Sequence, residues 1–116
     1  MELKKRNRFF FVGKNKKIKI YEKAHISLED DEQIVLLDEN NEYDVVKKNW
    51  GFYSTPSIND RLKKNNFRTF LVINSFKKIY IMIVNEKKIK LFKSYLKQEK
   101  NKILLELTNG YRKKLL

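Results

Sequence analysis

Short apolar or alternating runs, bounded by turn residues, recur along this chain of 116 residues, a pattern typical of β-strands. A turn at Gly13 joins the first two predicted strands and places Ile18 and Ile20 on a buried face. A connection of hairpin length separates the third and fourth. The fifth and sixth are the most apolar, which predicts a position at the centre of the sheet. The six predicted strands are residues 8–12, 17–21, 33–37, 42–46, 67–74 and 79–84.

Two helices are predicted. Pro56 suits the first turn of a helix of about two turns, which Thr55 or Ser57 can cap. The second helix covers residues 88–99, where apolar residues recur at helical spacing. Its apolar stripe consists of Ile89, Phe92 and Leu96, with Tyr95 at the edge.

The order of these elements predicts the fold class. Residues 103–107 alternate like a last strand but fit an extension of the second helix equally well. We therefore predict an α+β domain with a mostly antiparallel sheet of about six strands and two helices, in the order ββββαββα with a possible final strand. The length suits a single domain, residues 1–116, whose last six residues, 111–116, are predicted to fray.

The residue types that the chain lacks limit the reactions and metal sites that it can support. The chain has no Cys, which excludes disulfides, thiolate catalysis and zinc sites of the Cys type, and its single His leaves little for an imidazole metal site. Residues 38–44 resemble a calcium loop, but Tyr43 stands where the sharp turn requires Gly, so a hairpin tip is predicted instead. No metal and no cofactor are expected. No apolar run suits a membrane span, so we expect a cytoplasmic protein without a membrane partner.

The net charge of +13 is distributed unevenly. Residues 29–44, here called the acidic strip, hold eight acidic and no basic side chains and lie between two basic blocks. Basic residues that neutralise phosphates favour nucleic-acid binding, and exposed aromatic residues on strands would stack bases. The aromatic candidates are Phe9, Phe11, Tyr21 and Tyr80. Against this interpretation, the acidic strip would repel a phosphate backbone, and an excess of Lys, Asn and Ile also arises from AT-rich coding.

Residues 47–66 hold the only Trp and the only Pro of the chain, and they suggest a binding site. A helix start attracts anions through its free N–H groups, and hydroxyl and basic side chains around it would add to that attraction. We predict a pocket for an anion, such as phosphate or a sugar phosphate, with an aromatic wall. The predicted ligand-binding residues are Trp50, Tyr53, Ser54, Thr55, Ser57 and Arg61. The alternative is structural: Trp50 and Phe52 fill the core while Pro56 and Ser57 start the helix.

Catalysis is not expected, and no catalytic residue is predicted. His25 lies next to the acidic residues 29–32 and could take a carboxylate partner to act as a general base. The adjacent carboxylates of Asp30 and Asp31 leave a metal-dependent nuclease as an alternative. No Gly-rich phosphate loop or nucleophile elbow accompanies them. The chain is therefore interpreted as a small non-enzymatic accessory or binding protein. Its alternative function is nucleic-acid binding, and self-association through the acidic strip, a basic block or an edge strand is a further possibility.

Residues 50–62, WGFYSTPSINDRL, followed by Phe67-Arg68 and the run LVIN at 71–74, resemble a family of small uncharacterised bacterial proteins associated with surface-polysaccharide biosynthesis. The resemblance covers residues 43–99. It implies an accessory role related to sugar nucleotides rather than to nucleic acid, and it carries no catalytic residue.

Overall fold

The computed structural model describes residues 1–110, which form three separate antiparallel sheets and two helices. The elements are β1 (Glu2–Val12), β2 (Ile18–Ser27), β3 (Gln33–Asp38), β4 (Asn41–Lys48), β5 (Gly51–Ser54), α1 (Arg61–Lys64), β6 (Phe67–Ile73), β7 (Ile79–Asn85), α2 (Ile89–Glu99) and β8 (Lys102–Glu106). The α+β class, the antiparallel pairing and the two helices are confirmed. The prediction of one six-stranded sheet is wrong, because these eight strands divide among three small sheets. The predicted fraying of residues 111–116 lies outside the described residues.

Strands β1 and β2 form a two-stranded sheet, here called the ribbon, which is longer than predicted. Its turn begins at Gly13, whose φ of +94° favours glycine. The turn docks on the end of α2, where the Lys14 backbone N–H donates to Glu99 Oε1 at 2.7 Å. A Cβ on Gly13 would lie 2.3 Å from that same oxygen, so the Glu99 side chain would have to move if Gly13 were replaced.

Both faces of the ribbon are largely exposed, and this corrects the predicted burial of Ile18 and Ile20. Ile20 is exposed and Ile18 only half-buried, because no other sheet or helix of residues 1–110 covers that face. The radius of gyration is 15.9 Å, well above the roughly 13 Å typical of a compact domain of about 100 residues. The hydrophobic pattern identified the strands correctly, but it could not show whether a partner layer was available.

The second sheet has the order β3-β4-β5 and contains most of the acidic strip. Its β3–β4 hairpin is confirmed, with Asp38 opposite Asn41 at the turn, so residues 38–44 form a hairpin tip as predicted. Strand β5 was not predicted. It pairs with β4 through a tight turn at Asn49 and Trp50, with Lys48 opposite Gly51. Phe52 and Tyr53 therefore belong to a strand, while Trp50 lies in the turn before it.

The core lies between the third sheet, of order β7-β6-β8, and α2. Its buried residues are Phe70, Val72, Val84 and Leu96, with Met82, Ile89 and Phe92 packed against them. Residues 103–107, which fitted two interpretations, contribute the strand β8. Of the two strands predicted at the centre of a sheet, only β6 is central. The other, β7, is an edge strand, and its first half is exposed.

The ion pair between Arg68 and Glu106 links β6 to β8, with hydrogen bonds of 2.8 and 2.7 Å. Arg68, and secondarily Thr108, hold the pKa of Glu106 at about 2, below the usual 4.5. A lowered pKa of this kind adds stability above pH 4.5 that is lost as the pH falls towards 2.

We expect Glu106→Gln to unfold more easily than the wild type at neutral pH and to lose less stability across that range. Urea denaturation followed by circular dichroism at a series of pH values measures both effects.

The control is Glu42→Gln, which changes an exposed carboxylate and should leave the acid dependence as in the wild type. Identical acid dependence in Glu106→Gln and the wild type would show that this pair does not contribute to the pH response.

Candidate functional site

The aromatic part of the predicted anion pocket lies at the β4–β5 hairpin. The rings of Trp50 and Tyr53 stack with their centroids 6.0 Å apart and their planes 23° from parallel. Trp50 is 67% exposed and Phe52 63%. The structural alternative, in which Trp50 and Phe52 fill the core, is therefore wrong. These rings are available to a ligand.

The hydroxyl groups of the predicted pocket bond within the chain. Ser54 Oγ contacts the Tyr43 hydroxyl, Thr55 Oγ1 accepts from the Arg61 guanidinium at 3.3 Å, and Ser57 Oγ accepts from the Arg61 backbone N–H at 3.2 Å. The helix that follows is α1, a single turn rather than the two turns predicted. So short a helix offers only a weak dipole to an anion, because the dipole sums over aligned peptide units.

Arg61, the cation of the predicted pocket, already has a buried partner. Its Nη2 atom lies 2.9 Å from Asp44 Oδ2, and Asp44 is only 3% exposed. The other carboxylate oxygen, Oδ1, has no hydrogen-bond partner within the described residues. A buried carboxylate depends strongly on its counter-charge, so an incoming anion would have to compete with Asp44 for Arg61. The chain thus brings Thr55 and Ser57 to Arg61 beside Asp44, whereas Ser54 contacts Tyr43 and Trp50 stands at the other end of β5.

Most of the acidic strip is neutralised within the same chain. Its carboxylates pair with basic groups from both flanking blocks. The pairs are Asp30 with Lys47, Asp31 with Lys48, Glu32 with the N-terminus, Asp38 and Glu39 with Lys88, and Asp44 with Arg61. Hydrogen bonds from Asn85 and Lys88 lower the pKa of Asp38, while Asp31 raises the pKa of Lys48. The strip is therefore neither a strong repellent for phosphate nor a free surface for a basic partner.

The catalytic candidates have other neighbours than expected. His25 contacts Glu22 instead of residues 29–32, and Glu22 also binds Arg8. Arg8, and secondarily His25, lower the pKa of Glu22. Asp30 and Asp31 form the salt bridges with lysine named above. Across residues 1–110, no three His, Cys, Asp or Glu side chains gather in a way that could hold a metal ion.

Three of the four aromatic residues proposed to stack bases share one face of the ribbon, here called the aromatic face. Phe9 lies opposite Tyr21, and Phe11 lies opposite Lys19. The exposures of Phe9, Phe11 and Tyr21 are 54%, 52% and 54%. The Phe9 centroid is 6.1 Å from that of Phe11 and 6.4 Å from that of Tyr21. The fourth residue, Tyr80, lies on β7 in the third sheet.

Lysine side chains lie among these rings. Lys19 Nζ is 4.1 Å from the centroid of Phe9 and 5.1 Å from that of Tyr21, and Lys23 Nζ is 5.4 Å from Tyr21. Alternation along a strand accounts for this arrangement, because residues two apart point to the same face. The ribbon carries further exposed basic residues at Lys4, Lys5, Arg6 and Lys17. It therefore combines exposed π-faces with positive charge.

Three comparisons with known proteins, by family model, by curated sequence and by solved structure, each find no match for this chain. The resemblance to proteins of surface-polysaccharide biosynthesis stays a prediction. In the part of the chain that the structure describes, no helix is long and apolar enough to cross a membrane.

Replacing Arg61 by Gln should destabilise the fold, because Asp44 would keep its buried charge without a counter-charge. We expect the free energy of unfolding to fall by about 1–3 kcal/mol, the cost of leaving a buried polar group unsatisfied. Adding Asp44→Asn to that variant removes the charge and should recover part of the loss. Urea denaturation followed by circular dichroism is the measurement.

The matched control for this experiment is Lys64→Gln, which breaks the exposed Lys64–Asp60 pair in the same short helix and should have no measurable effect. If Arg61→Gln were as harmless as this control, the buried pair would not be holding the second sheet to α1.

Proposed function

We propose that this protein binds single-stranded nucleic acid through the aromatic face of the ribbon. The observation that carries the proposal is the arrangement of Phe9, Phe11 and Tyr21, half-exposed on one face with Lys19 between the rings. Every base has a π-face, so a row of aromatic rings binds successive bases with little dependence on sequence. The lysines would neutralise the phosphates and release their counterions.

The internal pairing of the acidic strip also supports this function. Counted along the sequence, eight acidic residues between two basic blocks would oppose a polyanion. In the folded chain, basic side chains from outside the strip cancel most of that charge, so the ribbon presents its positive charge with little opposition. Enzymatic activity is not part of the proposal.

An anion pocket at residues 50–61 is the second candidate, and it would suit an accessory protein that binds a phosphate or a sugar phosphate. The exposed stack of Trp50 on Tyr53 favours it, because such a stack is an apolar platform for a ligand. Arg61 is the residue that would bind the charge, but Asp44 already occupies it.

Releasing Arg61 tests the second candidate directly. In Asp44→Asn the guanidinium loses its charged partner, so we expect binding of inorganic phosphate or glucose 1-phosphate to become tighter than in the wild type. Titration followed by NMR of the backbone amides from Trp50 to Arg61 is the measurement. Glu42→Gln, in the same strand, is the control. Amide signals that stay unchanged in both the wild type and Asp44→Asn would eliminate the pocket.

The ribbon proposal is tested by removing the aromatic rings while keeping their apolar volume. We expect the double variant Phe9→Leu/Phe11→Leu to bind a labelled single-stranded oligonucleotide at least about fivefold more weakly, since losing even one stacking partner costs about 1–3 kcal/mol. Fluorescence anisotropy with DNA and RNA oligonucleotides measures the affinity. Binding should also weaken steeply with added salt, because counterions are released.

Phe10 provides the matched control, because it is the same residue type in the same strand but faces the opposite side of the ribbon. Phe10→Leu should leave the affinity unchanged, and circular dichroism should show that all variants remain folded. Equal affinities for the double variant and this control would falsify the proposal, and so would little retention of the wild type on heparin at moderate salt.

A further inference from the structure

A cavity of about 320 Å³ lies where the turn of the ribbon meets the β6–β7 turn and the end of α2. Its volume is at the lower end of the range for small-molecule sites, about 300–1,000 Å³, which suits one small ligand rather than a chain. Three aromatic side chains and one thioether form part of its wall. They are Phe76, Tyr80, Met82 and Tyr95.

Two amide side chains add polar groups to this apolar cavity. Asn74 and Asn101 both line it. The Asn74 side-chain carbonyl accepts from the backbone N–H groups of Phe76 and Lys78, each at 2.9 Å, so its –NH₂ group is the end left to donate. An amide among aromatic rings offers donors and acceptors in a plane, as recognition of a base edge requires.

The charges beside the cavity favour an anionic ligand over a cationic one. Glu99 lines the cavity, but its Oε1 atom already accepts from the Lys14 backbone N–H. Lys14 lines it as well, and Lys100 is close enough to interact with the Lys14 side chain. That interaction, and secondarily burial, lower the pKa of Lys14. Lys14 supplies an ammonium group at the cavity that a phosphate would bind.

We propose that this cavity binds one nucleotide, with the base between the aromatic side chains and the phosphate at Lys14. The proposal rests on the proposed nucleic-acid function and deepens it, because the cavity lies at the turn that follows the aromatic face. Phe11 is the last ring of that face, and Val12, Gly13 and Lys14 line the cavity immediately after it.

The test uses the full chain and the four ribonucleoside monophosphates, titrated separately and followed by NMR. We expect the amide signals of Lys14, Met82 and Asn101 to shift with at least one of them. Tyr95→Leu should weaken that binding about fivefold or more, the loss of one stacking partner, whereas Tyr95→Phe should retain it. Phe10→Leu, on the face of the ribbon opposite the aromatic face, is the control and should leave the mononucleotide affinity unchanged.

Each result separates the two proposals. Oligonucleotide binding through the ribbon without any mononucleotide shift overturns the cavity proposal and leaves the proposed function intact. Mononucleotide shifts that Tyr95→Leu abolishes, together with no oligonucleotide binding, support the cavity and overturn the ribbon function. Equal shifts with inorganic phosphate alone, or equal affinities of Tyr95→Leu and the wild type, overturn recognition of the base.

Discussion

Asp44 is a buried carboxylate in the middle strand of the second sheet, and it forms an ion pair with Arg61. This pair fixes the single turn α1 against the sheet, and the Thr55 backbone N–H donates to the Asp44 carbonyl alongside it. Asp38, in the same sheet, forms a second ion pair with Lys88, which lies between β7 of the third sheet and α2. The acidic strip therefore connects the second sheet to neighbouring elements through ion pairs within the chain. A chain with a net charge of +13 can fold compactly in this region because its negative charges lie where basic side chains converge.

The ribbon is a different case, since it has almost no core of its own. Its two strands pair with each other, and its turn is held by the bond from Lys14 to Glu99 at the end of α2. An isolated two-stranded hairpin is marginally stable in water, and apolar residues exposed on both faces add to that cost. Such a surface suggests a binding role, because large exposed apolar patches generally mark interaction sites. The aromatic face and the cavity beside the turn are the two places where we propose that bases bind.

The two candidate sites differ in how their charges are used. Around residues 50–61 the guanidinium is already bound to a carboxylate, and the aromatic stack stands at the other end of a short strand. On the ribbon, lysines lie directly against the exposed rings. A polyanion can exploit the second arrangement without breaking an existing buried pair. This difference, rather than the number of basic residues, is why the ribbon is the better candidate for a nucleic-acid site.

The sequence by itself determined most of the local structure, because alternation, turn residues and helical spacing act over a few positions. It predicted both early hairpins, the strands β6 and β7, and α2 with its stripe of Ile89, Phe92 and Leu96. It missed β5, because no strand was predicted for residues 51–54 although Phe52 and Tyr53 are good strand formers. Only the tertiary structure decided which strands share a sheet, which faces stay exposed and which charges meet. These properties depend on contacts between residues distant along the chain, such as Asp44 with Arg61 and Gly13 with Glu99, and a local pattern carries no information about them.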